Sequence, residues 1–227
     1  MKSLIVNGDD FGLSRGINRG ILTAHRRGIL TSASLMVDAP WGEEAAELSR
    51  TAPALSVGLH ADLDRVLAGD GGPAALREAL QAQFARFGEV MGRPPTHLDA
   101  HHNTHRDARA LPHFRELARR HRLALREHSG VRYFSKFYGR WAGSTHLEQI
   151  TAESLAGMLA TDIGNGITEL SCHPGYLDPQ TPTGYRLERE AELRALCDPL
   201  VRRVLTGQSI RLISYHDLSR GRAADAG

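Results

Sequence analysis

The sequence predicts an α/β fold in which about seven parallel strands curl into a TIM-barrel-like (β/α) barrel. Strand-like apolar runs alternate with amphipathic helical segments along the 227 residues. Ionisable residues recur where these apolar runs end, and ligands of parallel α/β folds bind beyond the carboxyl ends of the strands. No change in composition marks a second domain. We therefore expect one catalytic domain over residues 1–220 and a frayed tail over 221–227.

The first half of the chain supplies four of the predicted strands. The elements expected here are strand 3–6, a helix between Ser14 and Gly28, strand 32–37, helix 43–50, strand 55–59, helix 76–91 and strand 96–98. Ser14 is a typical N-cap, and Gly28 is a typical residue at which a helix ends. Apolar side chains form a continuous stripe along helix 76–91, and we interpret this stripe as core packing.

The second half continues the alternation around one irregular segment. The elements expected here are helix 114–121, strand 123–125, helix 152–159, strand 167–171, helix 185–205 and strand 210–215. Between them, residues 130–145 are rich in aromatic side chains and have no clear period. This segment is either an ordered loop packed on the barrel or a wall of the site that faces substrate.

Composition and charge exclude several classes of protein. The 28 basic and 26 acidic residues are interspersed and leave a net charge of +2, which does not indicate a nucleic-acid-binding protein. No apolar run reaches the length of a membrane span, and the N-terminus does not resemble a signal peptide. Cys172 and Cys197 are expected to be reduced thiols rather than a disulfide. We expect a cytoplasmic enzyme that acts on a small molecule, and the sequence is compatible with a homodimer.

Acids and histidines at the ends of the predicted strands are the candidate site residues. Asp9 and Asp10 follow the first strand, and two carboxylates there suit a division between binding a cation and accepting a proton; a turn at this point is the alternative. His60 ends the third strand, and a histidine in this position, taken alone, is more often a core residue than a ligand. His173, before a Pro-Gly pair, could be a general acid or part of a turn.

The fourth strand ends in the densest group of metal-capable side chains. Asp99, His101, His102 and His105 fall within seven residues, and so many polar groups are costly to bury without a shared task. With Asp10 and His60, this group offers two imidazoles and one carboxylate, a ligand set for Zn²⁺, Mn²⁺ or Fe²⁺ and less readily for Mg²⁺. The sequence therefore predicts an enzyme that uses a metal.

Several motifs resemble the YdjC-like carbohydrate deacetylases, a family that includes chitooligosaccharide deacetylases. The similar segments are Val6-Asn7-Gly8-Asp9-Asp10-Phe11-Gly12, Gly28-Ile29-Leu30-Thr31-Ser32, Gly58-Leu59-His60, His97-Leu98-Asp99-Ala100-His101-His102, Leu125-Arg126 and Cys172-His173-Pro174. They occur in the family's order over nearly the whole chain. The chain departs from the family pattern at Ala61-Asp62, where an Asn usually precedes the Leu, and at Asn103, where a third His is common. The stretch that follows His60 is also shorter than in the chitooligosaccharide enzymes.

The resemblance implies a barrel-like enzyme that removes N-acetyl groups from amino sugars with one divalent metal, Zn²⁺ or Mg²⁺. It implies that the metal ligands are Asp10, His60 and His101, that Asp9 is the general base and that His173 is a candidate acid. Residues that would bind substrate or orient the ligands are Arg126, Asp99 and His105. A phosphoesterase or a deacylase of non-sugar amides on the same scaffold, or a non-catalytic sugar- or metal-binding protein, remain the alternatives.

Overall fold

The computed structural model describes residues 1–69, 71–179 and 184–218, and the predicted tail 221–227 lies outside these ranges. The strands are β1 (Lys2–Phe11), β2 (Ser32–Leu35), β3 (Ser56–Ala61), β4 (His97–Ala100), β5 (Ala124–Leu125), β6 (Arg132–Phe134), β7 (Arg140–Trp141), β8 (Ser144–Thr145), β9 (Gly166–Cys172) and β10 (Ile210–Leu212). The α-helices are α1 (Arg15–Arg27), α2 (Gly42–Arg50), α3 (Asp64–Ala68), α4 (Pro73–Met91), α5 (Leu111–His121), α6 (Ala152–Asp162), α7 (Leu187–Cys197) and α8 (Pro199–Gly207). Two 3₁₀ helices span His101–Arg106 and Leu147–Ile150.

One parallel sheet organises the molecule, as the alternation of strands and helices predicts. Seven strands lie in the order β5-β4-β3-β2-β1-β9-β6, and β10 adds an eighth by pairing with the start of β1. Arg126 follows β5, at one end of this order, and its side chain donates to Glu169 in β9, near the other end. This contact shows that the sheet is strongly curled. The predicted TIM-barrel-like α/β class is confirmed.

The helices form where the sequence supplies caps and apolar stripes. Ser14 accepts a hydrogen bond from the Ile17 amide at 3.1 Å, as expected of the N-cap of α1. In α4, the inward stripe of Leu76, Leu80, Phe87 and Met91 is buried, which confirms its interpretation as core packing. Among the residues described, no helix combines the length and the apolar character that a membrane crossing requires.

Several predicted boundaries are wrong, each for a local reason. The helix expected over 185–205 is two helices, because Asp198 caps α8 and Pro199 has no amide hydrogen with which to continue α7. The irregular segment 130–145 contributes β6 to the main sheet and the hairpin β7–β8, strands too short to show a period. The last strand ends at Leu212 rather than 215. Cys172 and Cys197 are free thiols, as expected.

A bulge near the end of β1 brings both aspartates into the site. The strand continues to Phe11, but its pairing with β2 shifts between Gly8 and Phe11. Asp10 lies in this shift with a φ of +67°, a left-handed conformation that is uncommon for a residue with a side chain. In an unbroken strand, Asp9 and Asp10 would point to opposite faces of the sheet. The bulge removes that alternation.

Two close approaches of the chain support the residues around the site. Helix α1 packs against the loop after β9 so tightly that a Cβ on Gly20 would lie 2.4 Å from the Cα of Gly175. After β10, the chain turns beneath the sheet, and the ring of Tyr215 stacks on His97 with the ring centres 3.9 Å apart. Both contacts join elements that are far apart in sequence.

Candidate active site

A cleft of about 820 Å³ opens beyond the carboxyl ends of the strands. The predicted residues that line it are Asp9, Asp10, His60, His101 and His173, and other lining residues are Tyr133, Tyr138, Arg140, Tyr185 and Arg189. Side chains from the ends of β1, β3, β4 and β9 therefore share one cavity. Most of the predicted candidates come together there, although they are spread over more than 160 residues of sequence.

Asp10, His60 and His101 converge on one point of this cleft. One oxygen of Asp10, Oδ1, lies 3.1 Å from His101 Nδ1 and 3.4 Å from His60 Nε2. Asp10 and His60 are buried, and the His101 side chain is 19% exposed on the cleft side. One carboxylate oxygen and two imidazoles facing each other form a set that can hold a divalent cation.

Asp99 orients His60 from behind. Its Oδ1 lies 2.8 Å from His60 Nδ1, so that Nε2 is the nitrogen left for the cleft. Its other oxygen accepts a hydrogen bond from the Ser34 hydroxyl at 2.6 Å. Burial opposes protonation of His60, but the carboxylates of Asp99 and Asp10 outweigh it and raise its pKa to about 10. The site therefore attracts positive charge strongly.

Arg126 holds Asp9 in a fixed orientation. Its Nη1 and Nη2 donate to the two oxygens of Asp9 at 2.9 and 2.8 Å, the bidentate geometry that fixes a carboxylate most firmly. Arg126 also contacts Asp99 at 2.8 Å and Glu169 at 2.6 Å. The hydroxyl of Tyr215 donates to the far oxygen of Glu169 at 2.7 Å, which completes this buried network.

His173 lies across the cleft from the Asp10 group. Its Nε2 is 3.9 Å from Asp9 Oδ2, and its ring is flanked edge-on by Tyr138 and Tyr185. Burial lowers the pKa of His173, although Asp10 and Asp9 oppose the shift. An imidazole in this position can pass a proton to or from a bound group beside Asp9.

Helix α7 supplies two site residues that the sequence does not reveal. Arg189 donates to Asp10 Oδ2 at 2.6 Å, and Glu192, one turn later, accepts from the His173 amide and the Tyr185 hydroxyl. Burial raises the pKa of Glu192 to about 8. One sequence signal could have indicated them: both charged residues lie on the same helical face as the apolar Leu193, which is the face that packs inward.

The remaining predicted residues fall into two groups. Asp99 and Arg126 lie behind the cleft and act on its lining residues through the contacts above. His105 does not line the cleft: its side chain is buried and its Nε2 lies 3.1 Å from Glu127 Oε2. The irregular segment does face the cleft, through Tyr133, Tyr138 and Arg140.

The charges around the cleft fit a divalent cation. Four buried carboxylates, those of Asp9, Asp10, Asp99 and Glu169, face two buried guanidinium groups, those of Arg126 and Arg189. Unbalanced charge destabilises a protein interior that excludes water, and a divalent cation would balance the two excess negative charges. The mixed nitrogen and oxygen donors suit Zn²⁺ or a similar transition metal better than Mg²⁺, which prefers oxygen alone.

Comparisons with known proteins agree with this architecture. Residues 3–207 match the family model described as YdjC-like protein. A carbohydrate deacetylase from Geobacillus stearothermophilus is 33% identical over 94% of this chain and 96% of its own length. A chitooligosaccharide deacetylase from Yersinia enterocolitica is 34% identical over 95% of this chain and 99% of its own. An Enterococcus faecalis structure with the provisional name cellobiose-phosphate cleavage protein superposes with a TM-score of 0.83 at 25% identity, covering 96% of this chain and 98% of that one.

Proposed function

The chain belongs to the YdjC-like protein family, and on that premise we propose that it is a metal-dependent carbohydrate deacetylase. The reaction is hydrolysis of the N-acetyl group of an acetylated amino sugar or small glycoconjugate. One observation carries the proposal: Asp10, His60 and His101 converge beside an arginine-held Asp9 in an open cleft. This arrangement combines a cation site with an adjacent, firmly held carboxylate whose remaining lone pairs can accept a proton.

The proposed metal ligands are Asp10, His60 and His101. A divalent cation bound there supplies Lewis-acid polarisation of the acetamide carbonyl and lowers the pKa of water. Asp99 fixes the His60 ring so that Nε2 faces the cation site, and Arg189 holds the second oxygen of Asp10. Both contacts keep the ligands in place before substrate arrives, which reduces the reorganisation required during the reaction.

Asp9 is the proposed general base and His173 the proposed acid. Asp9 accepts the proton of the attacking water, while Arg126 holds both of its oxygens in a fixed orientation. His173 then donates a proton to the amine nitrogen as the C–N bond breaks, because an unprotonated amide nitrogen is a very poor leaving group. Its lowered pKa makes the imidazolium a stronger acid for this step.

Acetate release from a panel of N-acetylated mono- and oligosaccharides tests the reaction. We expect release that a chelator stops and added metal restores. The Asp9→Asn variant should bind metal and release no acetate, whereas the matched variant of an exposed acid, Asp38→Asn, should act like wild type. Turnover by Asp9→Asn would remove Asp9 from the role of base.

Metal content tests the proposed ligands separately. The His101→Ala variant should retain less metal after dialysis than wild type, because it removes one of three ligands. His113→Ala, on α5 and outside the cleft, is the control. Equal metal content in His101→Ala and wild type would place the metal elsewhere.

A second function has one observation in its favour. The Enterococcus structure with high similarity carries a name that refers to cleavage of a sugar phosphate. Cleavage of a phosphate ester would use the same cation site and the same base. The substrate panel therefore includes sugar phosphates with phosphate detection, and release of phosphate without acetate would favour this alternative.

A further inference from the structure

A second group of metal-capable side chains lies at the rim of the cleft. The ligand atoms of Asp64, His101 and His102 lie within 4.8 Å of one another. Asp64 Oδ2 is 2.6 Å from His102 Nδ1, and the rings of His101 and His102 are centred 3.8 Å apart. From this geometry we infer a rim site that binds a transition-metal ion of the Zn²⁺ type and competes with the inner cation site for His101.

The backbone holds this group together at the expense of strain. His102 and Asn103 adopt φ values of +51° and +54°, which interrupt the 3₁₀ helix after β4. Left-handed backbone is unfavourable for residues with side chains, and it persists where the surroundings require it, most often at functional positions. Asp64 approaches from the other side as the first residue of α3, where its amide donates to the Asp62 carboxylate at 3.1 Å. Two independent elements therefore bring the three ligands together.

The donor set and its exposure define the ion that the rim accepts. Two imidazoles and one carboxylate favour Zn²⁺ over Mg²⁺. The side chains of His102 and Asp64 are 69% and 37% exposed, whereas Asp10 and His60 of the inner site are buried. An ion at the rim keeps several of its waters and exchanges quickly with solvent. The rim site therefore has a lower affinity than the inner site.

His101 couples the two sites. A neutral imidazole has one lone pair available for a metal, so its ring binds one ion at a time. An ion that draws His101 into the rim leaves the inner site with Asp10 and His60 alone. Excess zinc therefore inhibits the enzyme by removing a ligand from the proposed catalytic cation rather than by occupying the substrate cleft.

Zinc binding to metal-free protein measures the rim site directly. In equilibrium dialysis with Zn²⁺ alone, wild type should bind one ion tightly and a second one weakly. Asp64→Asn and His102→Asn should lose the weak ion and keep the tight one; asparagine suits position 102 because it tolerates left-handed backbone. Asp38→Asn, an exposed acid outside the cleft, is the matched control and should bind as wild type does.

Inhibition by zinc provides the second readout. The zinc concentration that halves acetate release should rise at least about tenfold in Asp64→Asn and stay unchanged in Asp38→Asn. A weak ion that persists in both rim variants, or is lost in Asp38→Asn, would overturn the rim site. The dialysis needs no turnover, so an inactive protein that still loses its weak ion in Asp64→Asn would refute the proposed function and leave the rim site standing.

Discussion

Burial of Glu192 makes the stability of the protein depend on pH in a way that one substitution removes. Its carboxyl group is fully buried, accepts from the His173 amide and the Tyr185 hydroxyl, and has a pKa raised by burial from 4.5 to about 8. The folded state therefore binds a proton that the unfolded chain has already released between these two pH values. The contribution of Glu192 to stability is fully present below pH 4.5 and is lost as the pH rises through 8.

The size of this effect follows from the two pKa values. A tenfold difference in proton affinity corresponds to about 1.4 kcal/mol, so the rise from 4.5 to about 8 corresponds to about 5 kcal/mol of unfolding free energy. The Glu192→Gln variant cannot ionise at this position. We therefore expect the unfolding free energy of wild type to fall relative to that of Glu192→Gln as the pH rises from 4.5, with a total difference of about 5 kcal/mol once the pH is above 8.

Urea unfolding of both proteins at a series of pH values measures this difference. Glu190→Gln, two residues earlier on α7 and more exposed, shows what removal of a carboxylate from the surface of the same helix does. The reasoning is refuted if the difference between wild type and Glu192→Gln stays constant from pH 4.5 to 8. A difference that grows with rising pH, but also appears in Glu190→Gln, would assign the effect to the helix as a whole.

Three further substitutions test the contacts around the cleft by thermal unfolding. In metal-free protein, Arg189→Met should cost about 3–5 kcal/mol, because it leaves the buried Asp10 without its guanidinium partner, and added zinc should recover part of the loss. No recovery would argue against a cation at Asp10. Tyr215→Phe should cost about 1.5–3 kcal/mol, since the buried carboxylate of Glu169 in β9 loses the donor to its second oxygen, and an unchanged midpoint would contradict that. Gly20→Ala should destabilise by about 1–3 kcal/mol through its clash with the loop after β9. Gly157→Ala, in open space on α6, should stabilise by about 0.5–1 kcal/mol, and equal effects of the two would refute the clash.

The sequence predicted the parts of the site that lie at strand ends. Asp9, His60 and Asp99 each end an apolar run, and the ends of parallel strands lie at one edge of the sheet. This placement does not depend on where the helices begin and end. Spacing alone could not choose between Asp9 and Asp10, because the choice depends on a bulge. The positive φ of Asp10 has no signature in the residue types around it.

The contribution of α7 could not be read from the sequence for a different reason. Arg189 and Glu192 lie on the buried face of α7. A charged residue is buried only where the folded chain supplies a partner for it, and the sequence of the helix does not contain that information. Of their partners, Asp10 lies 179 residues away in sequence, and His173 lies in the loop after β9. The break between α7 and α8 was open to prediction, since an aspartate followed by proline is a common helix start.

The central position of β1 also determines when the enzyme can assemble. Lys2 pairs with Gly166 on one side and with Ile210 on the other, so both neighbours of the start of β1 come from the last part of the chain, whereas the early strand β2 pairs with its end. Pairing over such separations is slow, because a long loop has to close first. During synthesis β1 leaves the ribosome well before these partners exist. Its apolar edge is then open to aggregation until translation is nearly complete, and the cell's chaperones would need to protect it.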